Sequence, residues 1–230
     1  MKRYVPLLVG LLALAPICAW AGSAQLTGVA GGNYRLHVTT LKESRFRNTI
    51  HQKYDFSCGS AAVATLLTYQ YGYPVSEQTA FAAMFAHGDR AKISKEGFSL
   101  LDIKRFLAAL GFQADGFIAS LQKLQQAHLP AIVLIDENGY HHFVVIKGVL
   151  AGRVLVGDPA KGTRSIPETE FEKTWTNHLV FVIHNHRDLA VFNSRDDWRA
   201  APMAMLAAGV DRRGLYDTLM PKSGTDGFGF

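Results

Sequence analysis

The sequence predicts an α+β fold, with helices first and an antiparallel sheet after them. Three observations carry this. Between Cys58 and Leu129 the apolar residues recur at helical spacing. From Ala131 the texture changes to short β-rich runs, AIVLID, HHFVVIKGV and RVLVGDP. Only turn signals, ENGY and LAG, separate these runs. That leaves no room for a crossover helix, so consecutive strands pair antiparallel.

The elements follow in order. Residues 1–21 read as a signal peptide: a basic MKR, an apolar YVPLLVGLLALAPICAW, and AWA ending at Ala21 with the small residues of a cleavage site. The apolar run is short for a membrane span and contains Pro6 and Pro16. Residues 22–47 form an N-terminal extension in which YRLHVTTL reads as a strand. A domain is expected over 48–186. Its first helix starts at Cys58 with Ala62, Val63, Leu66 and Leu67 on one face, and Gly72 and Pro74 stop it. A second helix follows the N-cap Ser76 and ends before Gly88. A third has Leu100, Ile103, Phe106, Leu107 and Leu110 along one side and stops at Gly111. SLQKLQQAHLP is a short helix ended by Pro130. After the three strands, TRSIPETEFEKTW reads as a short strand and a helix from near Pro167, and HLVFVIH as a further strand. Residues 187–230 form a C-terminal extension, with a short amphipathic helix within DDWRAAPMAMLAAGVDRRGLYDTLM and a flexible tail.

The formal charge of +5 falls to +3 once Lys2 and Arg3 leave with the signal. That charge is too weak and dispersed for a nucleic-acid partner. No run after residue 21 is long and unbroken enough to span a bilayer, so no transmembrane domain is expected in the mature chain. Cleavage also removes Cys18, one of the two cysteines. A lone cysteine in an exported protein is a small buried hydrophobe, half of an intermolecular bridge or a functional thiol.

The position of Cys58 points to chemistry. At the first turn of a helix a thiol faces the positive end of the dipole and unsatisfied N–H groups, which favour the thiolate. Such a nucleophile needs a base and a group to orient that base. Of the nine histidines, His142 stands out because it heads the apolar strand HFVVI. Its neighbour His141 faces the other side of the strand and is the alternative. Asp158 ends the next strand, sixteen residues on, where the ends of two adjacent strands lie side by side. A plain Asp-Pro turn is the bland reading of that residue. Gln52, six residues before Cys58, could supply an oxyanion donor together with the Cys58 backbone N–H.

Together these residues resemble the bacteriocin-processing cysteine peptidase family, papain-like enzymes that remove double-glycine leader peptides. The resembling features are Gln52, Cys58-Gly59, HFVVI from His142, Asp158-Pro159, and the helix GFSLLDIKRFLAALGF, over roughly residues 48–185. The resemblance implies a papain-like fold and a catalytic Cys58, His142 and Asp158 with Gln52 in the oxyanion hole. It also implies a peptide or protein substrate cleaved after small residues such as Gly-Gly, in a groove lined by the helix from Ser99 and the EGF preceding it. The chain departs from the family in having Phe56-Ser57 rather than Asn-Asp before the cysteine. It also has no nucleotide-binding loop. With a signal peptide it resembles the stand-alone periplasmic members associated with functional amyloid (Fap-type) export. The implied substrate is then an amyloid subunit or another component of that machinery.

Two other readings compete with this one. One is a non-catalytic peptide-binding module of an export system. The other is a cell-wall endopeptidase of the NlpC/P60 type, whose Asp-Cys-Ser-Gly is replaced here by Ser57-Cys58-Gly59-Ser60. No cofactor and no metal site is expected, and HNH at 184–186 reads as an exposed loop.

Overall fold

The computed structural model describes residues 23–27, 33–37, 39–175 and 177–201. The signal peptide expected at 1–21 and the flexible tail expected over PKSGTDGFGF lie outside them. The chain divides into two units, residues 1–41 and 42–230. In the first, β1 (Ser23–Thr27) and β2 (Asn33–His37) pair antiparallel, with Ser23 opposite His37. A short helix, α1 (Leu41–Arg45), leads into the second unit.

The second unit carries the helices as expected. α2 (Cys58–Thr65) is buried along its whole length and runs on into a π-turn, Leu66–Gln70. α3 (Glu77–His87) starts where the Ser76 hydroxyl accepts from the Thr79 N–H. α4 (Arg90–Glu96) is capped by Asp89 and stops at Gly97, whose φ of 81° favours glycine. α5 (Leu100–Ala109) opens with a capping box between Ser99 and Asp102. β3 (Ala114–Ile118) and α6 (Leu121–Ala127) follow. The sequence reading lacked α4 and β3. One is a polar single-faced helix, the other a five-residue strand with mostly exposed side chains, so neither carries a strong periodicity.

The sheet contains β4 (Ala131–Glu137), β5 (Tyr140–Leu150), β6 (Arg153–Asp158), β7 (Gly162–Pro167) and β8 (Leu179–Ile183), with α7 (Glu168–Thr174) between the last two. Its order is β3-β8-β4-β5-β6-β7, and every pair is antiparallel. Two-residue turns close the first two hairpins of the meander. Asn138-Gly139 and Ala151-Gly152 all have positive φ, the geometry that matches strand twist.

The α+β, papain-like arrangement is present: α2, α3 and α5 pack on one face of the sheet through Ile132, Phe143, Val145 and Phe181. The other face is also covered. Leu121 and Leu124 of α6, Phe171 of α7 and Trp175 just after it pack there on Val133, Ile135, Val144 and Ile146. Adjacent strand residues are therefore apolar in both directions, which is why AIVLI and FVVI read as unbroken apolar runs. Each such fully buried side chain contributes about 1.5–3 kcal/mol.

β5 carries a bulge. Its register with β6 slips between Ile146 and Gly148, leaving Lys147 as the extra residue. Lys147 is fully buried, and its Nζ donates to Asp197 Oδ1 at 2.6 Å and to the Asn48 carbonyl. Asp197 belongs to α8 (Arg195–Ala200) and also accepts from Asn48 and Gln70. The segment before α8 is tied down by backbone bonds, Val191 N–H to Gln70 and Asn193 N–H to Lys147. Residues 187–201 are thus fastened to the helix and strand that carry Cys58 and His142. Among the described residues, no helix is long and apolar enough to cross a membrane.

Candidate active site

Cys58 is the first residue of α2 and is 7% exposed. No side chain caps this helix. Ser57 turns its hydroxyl back to the Tyr54 carbonyl and accepts from the Tyr54 N–H. The first-turn N–H groups of α2 are therefore left for the thiol and for an incoming anion. Helix position alone predicts a lowered thiol pKa, and the structure reverses the net direction. Burial pushes the Cys58 thiol up by more than the backbone N–H groups of Phe143, Gly59 and Cys58 itself bring it down, and the Asp158 charge adds to the rise. The free thiol is protonated at neutral pH and needs a base.

The sheet is split beside it. β5 pairs with β4 from Tyr140 to Ile146, but with β6 only from Val145 onward. The β6-facing edge at residues 140–144 has no strand against it, and the Phe143 N–H is free to reach the Cys58 sulfur. His142, the residue before Phe143, is 1% exposed. Its Nε2 faces Asp158 Oδ2 at 3.4 Å. A carboxylate only accepts, so Nε2 carries the proton and Nδ1 the lone pair. Nδ1 is buried and has no hydrogen-bond partner. The structure thus brings His142 and Asp158 together at this gap in the sheet, beside Phe143, whose N–H reaches the Cys58 sulfur. His141 points to the opposite side of β5 from His142; it is exposed, 3.7 Å from Asp136, and lines the groove at Cys58.

Asp158 is fully buried yet held ionised. Burial raises its pKa. The His142 hydrogen bond, the Arg164 charge and the Ala160 N–H together outweigh that and hold the carboxyl below the usual carboxylate range. Oδ1 accepts from the N–H groups of Ala160 (2.9 Å) and Lys161 (3.1 Å). Oδ2 accepts from Arg164 Nη2 at 2.7 Å as well as facing His142. Arg164 Nη2 also donates to Glu137 Oε1 at 2.9 Å, and Lys161 pairs with the same carboxylate. Ligand atoms of Glu137, His142 and Asp158 lie within 4.8 Å of one another, the spacing of a metal site. Arg164 already bridges the two carboxylates, so a second cation there would meet a positive charge at hydrogen-bond distance.

Gln52 is buried in the loop that leads to Cys58. Its N–H donates to the Pro159 carbonyl beside Asp158. Its side-chain amide donates to the carbonyls of Tyr54 (3.1 Å) and Asp55 (3.4 Å), while Oε1 is buried without a partner. The amide is turned onto its own loop.

A groove of about 300 Å³ opens at Cys58, lined by Glu96, Gly97, Phe98, Leu134, His141 and Phe143. A larger apolar cavity of about 510 Å³, lined by Ala83, Met84, Phe106 and Leu110, contains none of the groups above.

The sequence pattern of the peptidase C39 family matches residues 47–187. The chain belongs to the peptidase C39 family. This C39 peptidase is 40% identical over 179 residues to the "Probable functional amyloid protease FapD" of Pseudomonas aeruginosa, an alignment covering 77% of this chain and 78% of that one. It is 35% identical over 174 residues to the protein of the same name from Pseudomonas fluorescens, covering 75% and 76%. The crystal structure of the peptidase domain of Streptococcus ComA, a bi-functional ABC transporter involved in quorum sensing, superposes with a TM-score of 0.51. It is 22% identical and covers 59% of this chain and 97% of that domain. At that identity the likeness concerns the fold.

The sequence reading of this C39 peptidase did not single out Arg164, Glu137 or Tyr140. Arg164 sits in TRSIP, which carries no signal beyond a strand. Glu137 and Tyr140 flank the Asn138-Gly139 turn and read as turn surroundings.

Proposed function

We propose that this C39 peptidase is an exported cysteine endopeptidase with Cys58 as nucleophile, His142 as general base, Asp158 as the group that orients the base, and Gln52 with the Cys58 N–H as oxyanion donors. One observation carries the reading: Asp158 holds His142 by Nε2 and leaves a buried, unpartnered Nδ1 next to the strand edge on which the thiol rests.

In this mechanism His142 Nδ1 takes the Cys58 proton as the sulfur attacks the scissile carbonyl carbon. The carbonyl π pair moves onto oxygen, facing the Cys58 N–H and a Gln52 amide that has let go of one loop carbonyl. Collapse of the intermediate breaks the C–N bond, and His142 returns the proton to the departing amine. Water then attacks the thioester with His142 again as base, releasing the acid and restoring the thiol. The Asp158 carboxylate stabilises the imidazolium formed at each stage.

Cleavage after small residues such as Gly-Gly is supported by the groove, where Phe98, Phe143 and Leu134 stand close around the thiol. The names of the two FapD relatives support a substrate in amyloid export. The signal-peptide pattern at residues 1–21 supports a periplasmic location. The test is mass spectrometry of candidate exported proteins incubated with the wild-type chain or with Cys58→Ala. The expected result is one cut, at a small-residue pair, that Cys58→Ala does not make. Cutting by Cys58→Ala overturns the catalytic assignment. Stoichiometric binding without any cut points instead to a peptide-binding module.

A further inference from the structure

Tyr140 has no part in the reaction just described, yet it reaches the loop that carries Gln52. It opens β5 directly after the Asn138-Gly139 turn, which is pinned by a 2.7 Å bond from the Gly139 N–H to Asp136 Oδ1. Two residues before His142, it projects from the same side of the strand. Its ring lies 5.2 Å from the His142 ring, tilted by 32°. Its hydroxyl donates to the Asp55 carbonyl at 3.0 Å. Tyr140 is 46% exposed, so water could satisfy this hydroxyl, but it crosses to the loop instead.

The same Asp55 carbonyl accepts the Gln52 amide at 3.4 Å, longer than the 3.1 Å bond to Tyr54. Two donors therefore converge on one oxygen, and the phenol makes the shorter bond. Burial, and then the Cys58 charge, raise the Tyr140 pKa, while the neighbouring Gln52 amide lowers it. All of these groups act on one small region.

We propose that Tyr140 is a positioning residue: by sharing the Asp55 carbonyl it holds the Gln52 amide to the longer 3.4 Å bond there, and so leaves that N–H the easier one to turn toward an oxyanion. The inference rests on the catalytic reading of Cys58 and Gln52 given above. Without the hydroxyl, Gln52 tightens on Asp55, and a reaction that passes through a tetrahedral oxyanion slows. A reaction of the same thiol without an oxyanion does not.

Two probes separate these cases without a cognate substrate. p-Nitrophenyl acetate acylates Cys58 through a tetrahedral oxyanion, whereas iodoacetamide alkylates it by direct displacement of iodide. Tyr140→Phe is expected to slow acylation about tenfold, a fraction of what loss of a whole oxyanion donor costs. Its alkylation rate stays within about twofold of wild type, which also reports an intact fold. In the double variant Tyr140→Phe/Gln52→Ala, acylation is no slower than in Gln52→Ala alone, because both act through one amide.

Wild-type acylation by Tyr140→Phe, equal loss in both reactions, or losses that multiply in the double variant would each overturn the inference. So would unchanged acylation in Gln52→Ala. Cys58→Ala keeps the two readings apart. If it still acylates at the wild-type rate, the catalytic reading falls. If it is silent while Tyr140→Phe behaves as wild type, only the role of Tyr140 falls.

Discussion

Arg164 donates to Asp158 across 2.7 Å, on the same carboxylate oxygen that faces the His142 ring. The acid proposed to orient the base is thus itself held by a charge-assisted bond from the neighbouring strand β7. Arg164 is itself only 22% exposed, and Asp158 is fully buried. Removing the guanidinium leaves Asp158 and Glu137 facing each other across the space it filled. Arg164→Met is expected to cost about 3 kcal/mol, the cost of leaving one partner of a buried pair unpaired. Urea unfolding at neutral pH measures it, and a loss under about 0.5 kcal/mol would place the pair with ordinary surface bridges.

Asp158→Asn tests orientation of the base. Arg164 needs an acceptor on Oδ2, so an amide side chain turns its NH2 toward His142 Nε2 or breaks with Arg164. Either outcome spoils the Nε2–H tautomer, and turnover is expected to fall by roughly 10²-fold or more. Steady-state cleavage of the peptide found by mass spectrometry gives the number.

The same variant reports on pH. The Asp158 carboxyl is held below its ordinary value of 3.8. A depressed acid contributes stability that is present above its unfolded pKa and lost as pH falls through its folded pKa. The stability gap between wild type and Asp158→Asn is therefore expected to be widest above pH 4 and to close below 3.8. A gap of constant size at pH 5 and pH 3, read by urea unfolding, contradicts this.

Cys58 gives the opposite case. Burial raises its thiol above the ordinary 9.0. Alkylation of the free enzyme by iodoacetamide is expected to climb with pH through 9 and beyond, following the thiolate. A rate that levels off near neutrality means that a thiolate–imidazolium pair is already formed without substrate.

The Lys147–Asp197 pair joins the C-terminal segment to the strand that carries His142. Truncating either partner leaves a buried charge alone, and Asp197→Ala is expected to cost about 3–5 kcal/mol. The double replacement Lys147→Met/Asp197→Leu is expected to recover most of that. Thermal or urea unfolding of the three variants decides it, and equal loss in single and double variants removes the argument.

Much of the candidate site could be proposed from residues alone. Cys58 before a helical run, His142 heading HFVVI and Asp158 ending the next strand are local signals, because helix starts and strand ends are encoded by neighbours. The hairpin turn Ala151-Gly152 then sets the register, which ends with Val145 opposite Gly157 and leaves His142 and Asp158 just beyond the last pair. What local pattern could not supply is the electrostatic sign at the Cys58 thiol. Helix position lowers a thiol pKa, but the depth of burial that raises it depends on Phe98, Phe143 and Ile103 packing around Cys58 and Gly59.

Sequence by itself determined the fold class, the order of helices and meander strands, and which residue types stand at the head of each element, since periodicity and turn chemistry act over a few residues. Only the tertiary structure decided that Arg164 and Glu137 surround Asp158, that Tyr140 meets Gln52 at the Asp55 carbonyl, and that Lys147 reaches Asp197. These contacts join residues up to 85 positions apart. They arise where the sheet splits between β5 and β6 and where β5 bulges, and both features follow from how the layers close on one another rather than from any local run.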